Sequence, residues 1–246
     1  MKRTILAIAI GTLCTAGSAL ASGGAHWGYT GAQGPEHWGS LDKAYAVCGT
    51  GVNQSPINLT GFIEGELPAV AFSYGATAAD IINNGHTVQA NFPKGSSIKV
   101  DGMDFDLLQC HFHSPSENTV EGVSFPMEGH CVHASKDGKL AVVAIMYKLG
   151  DANKGIAGLW KAMPAKEGDK NTLSEKVNAL DIMPKSKDYY RFNGSLTTPP
   201  CTEGVRWLVL KESPTISKDQ LDAFTKVMHH PNNRPVQPIN ARLIIK

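Results

Sequence analysis

Closely spaced turn signals divide this chain into short segments, and they constrain its fold more than any other feature. Asparagine or aspartate followed by glycine, a turn-forming pair, occurs at Asn84-Gly85, Asp101-Gly102, Asp137-Gly138 and Asn193-Gly194. The runs between such turns have the composition and length of strands, and they cover residues 87–92, 97–100, 105–113, 140–148 and 205–210. The spacing therefore predicts a mainly β protein.

One strand is predicted to lie at the centre of the molecule, and helical signals are few. Residues 140–147 form a continuous apolar run, which is typical of a strand buried on both faces. Ser217 precedes apolar residues at helical spacing and predicts a capped amphipathic helix, and residues 174–180 predict a shorter one. Because no repeat or linker divides the chain, we expect a single α+β domain with a few surface helices.

The N-terminus has the three parts of a secretory signal peptide. Lys2 and Arg3 form a basic start, residues 4–13 are apolar, and small residues at Ala19 and Ala21 provide a cleavage site. A membrane anchor is the alternative, but it needs an apolar stretch of roughly 20 residues. We therefore expect residues 1–21 to be removed and residues 22–246 to form the exported domain. The short signal favours a bacterial periplasm.

Charge excludes some partners of the exported chain. Without the signal it has 21 basic and 22 acidic side chains, and no basic run interrupts this balance. Such a chain has no strong field for the phosphates of nucleic acid. We expect neither nucleic-acid binding nor membrane insertion.

Export makes disulfide bonds possible among the four remaining cysteines. Cys48 and Cys201 both lie in loop-like segments rich in glycine or proline, so a bond between them is favoured. Cys110 and Cys131 lie in apolar, strand-like runs. Buried free thiols are common, and for this second pair two thiols are favoured over a disulfide.

The histidine pattern carries the chemistry. His111 and His113 are two residues apart in a predicted strand and therefore share a face. His130 lies in a second strand-like run, and a hairpin-like return would place it opposite that pair, whereas His133 would face away. Three imidazoles with an open fourth position form a catalytic zinc site. Taken alone, the His-x-His pair fits a metal site and two unrelated histidines equally well.

Two polar residues precede these histidines by two positions and share their strand face. Gln109 precedes His111 and Glu128 precedes His130. A metal-bound histidine usually donates its second ring N–H to such a group. Each residue is also compatible with an ordinary surface position.

A cupin is the rival metal enzyme. Its pattern of two histidines and a glutamate fits His111, His113 and Glu117. The cupin pattern also needs glycines where this chain has Phe105 and Ser124, so the cupin interpretation is the weaker one.

A series of short motifs decides between these interpretations. In chain order they are Trp27-Gly28-Tyr29, Gly34-Pro35-Glu36-His37-Trp38, Gln54-Ser55-Pro56-Ile57-Asn58, Asn84-Gly85-His86-Thr87, Gln109-Cys110-His111-Phe112-His113, Ser116-Glu117-Asn118-Thr119, Glu128-Gly129-His130-Cys131-Val132-His133, Ser195-Leu196-Thr197-Thr198-Pro199-Pro200-Cys201 and Asn233-Arg234-Pro235-Val236-Gln237-Pro238. The ordered set closely resembles the α-class carbonic anhydrases in their secreted bacterial form. The resemblance runs from about Trp27 to Asn240, nearly the whole exported chain.

The resemblance implies a fold and an activity. The fold would be a central, twisted, mostly antiparallel sheet with zinc in a conical cleft. The activity would be the reversible hydration of carbon dioxide to bicarbonate and a proton, by attack of zinc-bound hydroxide with a histidine as proton shuttle. Expected ligands are carbon dioxide, bicarbonate and water, with anions and sulfonamides as inhibitors, and the chain would be a monomer or homodimer. A non-catalytic binding protein on the same fold is the remaining alternative.

The resemblance also implies roles for individual residues. The zinc ligands would be His111, His113 and His130. Their outer nitrogens would be bound by Gln109, Glu128 and the backbone carbonyl of Asn232. The other catalytic residues would be Thr197, which orients the nucleophile, Glu117, which accepts a hydrogen bond from the Thr197 hydroxyl, and His86, the proton shuttle.

Further residues of the implied cleft complete the assignment. The carbon dioxide pocket would be lined by Val132, Val142, Leu196, Trp207 and Thr198. The water between zinc and the shuttle would be ordered by Tyr29, Asn84 and Gln89. By the same resemblance, a disulfide between Cys48 and Cys201 would brace the Thr197 loop.

Overall fold

The structure of the protein is a computed structural model, which describes residues 25–246. The predicted signal segment at 1–21 lies outside the described residues. The strands are β1 (Asn58–Leu59), β2 (Ala71–Tyr74), β3 (Asp80–Asn83), β4 (Val88–Asn91), β5 (Ser96–Val100), β6 (Met103–His113), β7 (Thr119–Val120), β8 (Met127–Ala134), β9 (Leu140–Leu149), β10 (Lys170–Thr172), β11 (Tyr189–Ser195), β12 (Glu203–Leu210) and β13 (Thr215–Ile216). The strands predicted from turn spacing are β4, β5, β6, β9 and β12.

One 11-stranded sheet organises the molecule. Its main path runs β10-β3-β4-β6-β8-β9-β12-β11, with β5 paired to both β2 and β6, and β13 paired to β9. Strands β12 and β13 run parallel to β9, and the other pairs in this sheet are antiparallel. A separate parallel pair joins β1 to β7. The prediction of a mainly β fold with a mostly antiparallel central sheet is confirmed.

Helices are short and few among residues 25–246. The α-helices are α1 (Trp38–Leu41), α2 (Val47–Thr50), α3 (Lys154–Trp160) and α4 (Lys218–Met228), and 3-10 turns cover Gly31–Gln33, Lys43–Tyr45 and Ala179–Ile182. The Ser217 hydroxyl accepts the N–H of Gln220 and caps α4, as predicted. The helix predicted at 174–180 is wrong, because only the 3-10 turn that follows Asn178 forms there. No helix in the described range is long and apolar enough to cross a bilayer.

Strand β9 separates two hydrophobic cores. Alternate residues along it contribute to the larger core, through Val143, Ile145 and Tyr147. The residues between them contribute to a second core, which also contains Val132 and Trp207. Because side chains alternate between the faces of a strand, the two cores lie on opposite faces of the sheet. The prediction that this strand is buried on both sides is confirmed.

Two disulfide bonds join the four described cysteines. Cys48 and Cys201 are bonded, as predicted. Cys110 and Cys131 are also bonded, so their interpretation as two thiols is wrong. The physical reason is register, because these residues stand directly opposite each other on β6 and β8 with Cα atoms 4.1 Å apart. Sequence alone does not specify that register.

Candidate active site

The pairing of β6 with β8 brings three histidines together on one face of the sheet. His111 stands directly opposite His130, and His113 lies two residues along β6 on the same face. One ring nitrogen from each lies within 4.8 Å of the others. The predicted grouping of these three residues is therefore present in the structure. His133 points away, and its Nε2 lies 2.6 Å from the hydroxyl of Tyr74.

The outer nitrogen of each imidazole has a polar partner. Gln109 Oε1 lies 2.8 Å from His111 Nδ1, the backbone oxygen of Asn232 lies 2.7 Å from His113 Nδ1, and Glu128 Oε1 lies 2.8 Å from His130 Nε2. These three acceptors are the residues named from the sequence. They leave His111 Nε2, His113 Nε2 and His130 Nδ1 as the convergent set.

The convergent nitrogens suit a metal ion. His113 Nε2 is buried and has no hydrogen-bond partner among the described residues. Burial lowers the pKa of all three imidazoles, and neighbouring rings lower the pKa of His111 and His130 further. The rings are therefore neutral near pH 7, which is the form that binds a metal. Three nitrogen donors with an open fourth position are typical of catalytic zinc.

Two buried carboxylates surround this cluster. Glu128 also accepts the backbone N–H groups of Glu117 and Asn118, both at 2.8 Å. Glu117 accepts the backbone N–H of Arg234 through Oε1 at 2.8 Å, and its Oε2 lies 3.5 Å from His113 Nε2. Burial raises the pKa of Glu117 to about 8 and that of Glu128 to about 7, although their hydrogen bonds act in the opposite direction.

Thr197 and an apolar surface lie on the β12 side of the cluster. Thr197 is buried in the loop after β11, close enough to Glu117 to lower the pKa of that carboxyl. Val142 stands between Val132 on β8 and Trp207 on β12, in register with both. The Trp207 ring lies 4.9 Å from the His130 ring, and Leu196 packs against the same core.

A cavity of about 130 Å³ adjoins the histidine cluster. Its walls include Tyr29, Asn84, His86, Gln89 and Thr198, together with His111 and His113. Asn84 Oδ1 accepts the N–H groups of His86 and Thr87 at 3.0 and 2.9 Å, which forms the turn that carries His86. Gln89 Nε2 donates to Asn91 at 2.7 Å. The Tyr29 hydroxyl is buried without a hydrogen-bond partner among residues 25–246.

Comparison with known proteins identifies the family. The family model for eukaryotic-type carbonic anhydrase matches residues 33–246. The chain belongs to the α-class carbonic anhydrase family. A carbonic anhydrase from Neisseria gonorrhoeae is 47% identical over 235 residues, which cover 95% of this chain and 93% of that protein. One from Pectobacterium atrosepticum is 45% identical over 228 residues, with 93% of each chain covered.

Solved carbonic anhydrase structures share the fold. The α-carbonic anhydrase of Thermovibrio ammonificans, solved with the inhibitor sulfanilamide, has a TM-score of 0.89 and 46% identity. That alignment covers 91% of this chain and all of the other. The chain is thus an enzyme of the carbonic anhydrase class, a lyase, and the family implies hydration of carbon dioxide. The cupin interpretation is excluded.

Some residues at the cleft had no role in the sequence interpretation. Trp27 stacks on His86, with ring centroids 3.7 Å apart and planes 7° from parallel. Arg234 is fully buried and donates to the backbone oxygens of Ser55 and Cys48 at 2.8 and 2.9 Å. Both residues lie within sequence motifs that resemble the carbonic anhydrases. Their place in those motifs is the sequence signal that could have identified them.

Proposed function

We propose that this chain catalyses the zinc-dependent, reversible hydration of carbon dioxide to bicarbonate and a proton. The observation that carries the proposal is the convergence of three neutral imidazole nitrogens, one of them buried without a hydrogen-bond partner. We infer that His111, His113 and His130 hold the zinc ion. Gln109, Glu128 and the carbonyl of Asn232 would set their ring orientations, which fixes the tautomer and raises the basicity of each ligand.

A zinc ion held by the three histidines would activate water as the nucleophile. Carbonic anhydrases are the established example of a zinc ion that lowers the pKa of bound water to about 7. The protein residues would then orient the reacting oxygen, provide an apolar site for carbon dioxide and carry the released proton to solvent. Each of these tasks falls to a different part of the cleft.

Thr197 and Glu117 orient the reacting oxygen. An ionised carboxylate only accepts hydrogen bonds, so the Thr197 hydroxyl would donate its hydrogen bond to Glu117. The oxygen of Thr197 is then left as an acceptor for the nucleophile. Burial favours a neutral Glu117, but a nearby divalent cation favours the ionised form. The N–H of Arg234 at 2.8 Å also supports the negative charge.

The apolar surface beside His130 suits carbon dioxide. Val132, Val142 and Trp207 are buried there, and Leu196 packs against the same core. Thr198, the fifth residue expected in this pocket, lines the cavity that contains His86. Carbon dioxide carries no net charge, so it enters such a pocket without losing strong hydration. Bicarbonate is an anion and is poorly held by apolar walls, which favours its release.

His86 is the proposed proton shuttle. It is partly exposed at the cavity wall, and burial together with His26 lowers its pKa. An imidazole that titrates near neutral pH can accept a proton from the site and release it to solvent. Tyr29, Asn84 and Gln89 line the space between His86 and the histidine cluster, and they would order the intervening water.

The expected inhibitors follow from a relative, and the expected cellular location follows from the N-terminal sequence and the disulfides. The Thermovibrio ammonificans enzyme binds sulfanilamide, and we expect this chain to bind sulfonamides and simple anions at the zinc. We propose that residues 1–21 direct export and are removed, and that residues 22–246 act in a bacterial periplasm. The two disulfides support an oxidising compartment.

Stopped-flow hydration of carbon dioxide tests the metal-dependent reaction. The exported form should hydrate carbon dioxide, and His111→Ala should reduce the rate to that of buffer because one of three ligands is lost. His37→Ala is the matched control, since this exposed histidine lies outside the cluster. Absence of hydration by the zinc-loaded wild type would overturn the proposal.

The shuttle is tested separately. His86→Ala should lower turnover in weak buffer while the substrate-dependent step stays intact, and small imidazole buffers should restore the rate. His229→Ala provides a second histidine variant, at an exposed position outside the wall of this cavity. Unchanged turnover in His86→Ala would remove this residue from the proton path.

A further inference from the structure

The disulfide between Cys110 and Cys131 occupies the cross-strand pair next to two proposed zinc ligands. Cys110 stands opposite Cys131, and the next pair along the same strands is His111 opposite His130. Successive pairs alternate between the two faces of a sheet. The bond therefore lies on the core face, and the two imidazoles lie one pair further along, on the opposite face.

The backbone ladder is interrupted on the side of this disulfide that is away from His111 and His130. Pairing of β6 with β8 shifts between Leu107 and Gln109, which leaves Leu108 without a partner in the register. A bulge of this kind disrupts the ladder and bends the strand locally. Gln109, the partner of His111 Nδ1, is the first residue after the shift. The disulfide thus lies between an irregular segment and the ligand pair.

Relative movement of β6 and β8 would change the distance between the convergent nitrogens. His111 comes from one strand and His130 from the other, so sliding or separation of the strands acts directly on the cluster. A covalent bond at the adjacent pair limits both movements. His113 lies two residues further along β6 and moves with His111.

The disulfide is permanent in the folded protein. Both sulfur-bearing residues are fully buried in the larger core, next to Ala90 on β4 and Val143 on β9 in the same row of the sheet. A reductant has no access to this bond without unfolding. Its role is therefore that of a fixed brace rather than a switch.

We propose that Cys110 and Cys131 are positioning residues for the metal site, whose disulfide keeps the ligands on β6 and β8 at binding distance before zinc arrives. This inference rests on the proposed zinc site. A site organised in advance binds its metal with a smaller ordering cost, and it loses the metal more slowly. Neither cysteine touches the metal or the substrate.

Zinc release from the holoenzyme tests this role. Purified zinc-loaded protein is mixed with excess chelator, and the zinc that remains bound is measured over time. Cys110→Ala/Cys131→Ala should lose zinc about tenfold faster than wild type, the lower end of the loss seen when a partner of a metal ligand is removed. Cys110→Ala/Cys131→Val restores apolar volume without the bond and should release zinc at the same increased rate.

Val143→Ala is the matched control. It removes core volume from the same row of the sheet, opposite Cys131, but it leaves the bond intact. It should lower the unfolding temperature and leave zinc release near the wild-type rate. The visible spectrum of the cobalt-substituted protein gives an independent measure, and it should change in both cysteine variants but not in Val143→Ala.

The outcomes separate this inference from the proposed function. If wild type binds no zinc, both are overturned. If wild type retains zinc and the cysteine variants release it no faster than Val143→Ala, the positioning role alone is overturned. Faster release in both cysteine variants, with unaltered release in the control, supports it.

Discussion

The sheet side and the loop side of the cleft are organised by different kinds of contact. The sheet side consists of β6 and β8, where His111, His113 and His130 are aligned by antiparallel register and a disulfide that spans 21 residues. The loop side is the end of β11 together with the loop that follows it, residues 195–202, and it carries Thr197. It is attached to the rest of the molecule by contacts between residues about 150 positions apart in sequence.

The loop-side attachments have no periodic pattern. Ser55 N–H donates to Ser195 Oγ at 2.8 Å, and Ser195 N–H donates to Ser55 Oγ at 3.1 Å. Gln54 donates to the carbonyl of Cys201 at 3.1 Å, and the Cys48–Cys201 bond spans 153 residues. We therefore expect substitutions on the sheet side to alter metal binding and substitutions on the loop side to alter the reaction.

Removal of the loop-side disulfide should have the largest effect on stability. In the loop-closure model, a bond that spans 153 residues contributes about 5 kcal/mol and one that spans 21 about 3 kcal/mol. We expect Cys48→Ala/Cys201→Ala to lower the free energy of unfolding more than Cys110→Ala/Cys131→Ala, as measured by urea denaturation. Its zinc release should stay near the wild-type rate. Rapid zinc loss in the Cys48→Ala/Cys201→Ala variant would contradict this separation of roles.

The core face of the sheet side should show a distinct pH dependence. Burial lowers the pKa of His133 to about 4, whereas a histidine in the unfolded chain titrates near 6.5. The unfolded state therefore binds the extra proton as the pH falls below about 6.5. The corresponding stability is complete above that pH and is lost progressively toward pH 4, by about 3 kcal/mol in total.

His133→Gln is the variant that isolates this effect. A glutamine can accept from the Tyr74 hydroxyl and donate to the carbonyl of Ala141, as His133 does. Urea denaturation of the metal-free proteins between about pH 4 and pH 7 should show a flatter profile for the variant. Equal losses of stability in wild type and variant would contradict the assignment.

Thr197 should affect rate without affecting metal retention. We expect Thr197→Ala to lower kcat/KM by about 100-fold, the cost of removing one oriented hydrogen-bonding group, or about 2.7 kcal/mol. Thr197→Ser keeps the hydroxyl and should retain most of the activity. The measurement is stopped-flow hydration together with the zinc content. A loss of zinc in Thr197→Ala would show instead that Thr197 contributes to metal binding.

The same difference explains what could be predicted from the sequence. The alternation of residues in β6 and β8 predicts which face His111, His113 and His130 share, because strand geometry has a period of two. It does not predict that Cys110 stands opposite Cys131, since exact register depends on the bulge at Leu108. A one-residue change in spacing alters which residues meet across the pair.

Apart from the Cys48–Cys201 bond, the loop side could be anticipated only through resemblance. Thr197 and Leu196 lie in a segment whose position also depends on Ser55 and Gln54, and no local pattern indicates those distant partners. The stack of Trp27 on His86 is a similar case, because it joins a segment near the N-terminus to the turn after β3. Local periodicity predicts elements and faces, whereas contacts between distant loops require the folded structure or a known relative.

Zinc titration of the metal-free protein tests whether hydration depends on the metal. Carbon dioxide hydration and bound zinc are measured in parallel as zinc is added to protein from which metal has been removed. We expect hydration to rise in proportion to bound zinc, to reach its plateau at one ion per chain, and to be absent from His130→Ala at every zinc concentration. Full hydration by the metal-free chain, or no hydration at full zinc loading, would contradict this expectation.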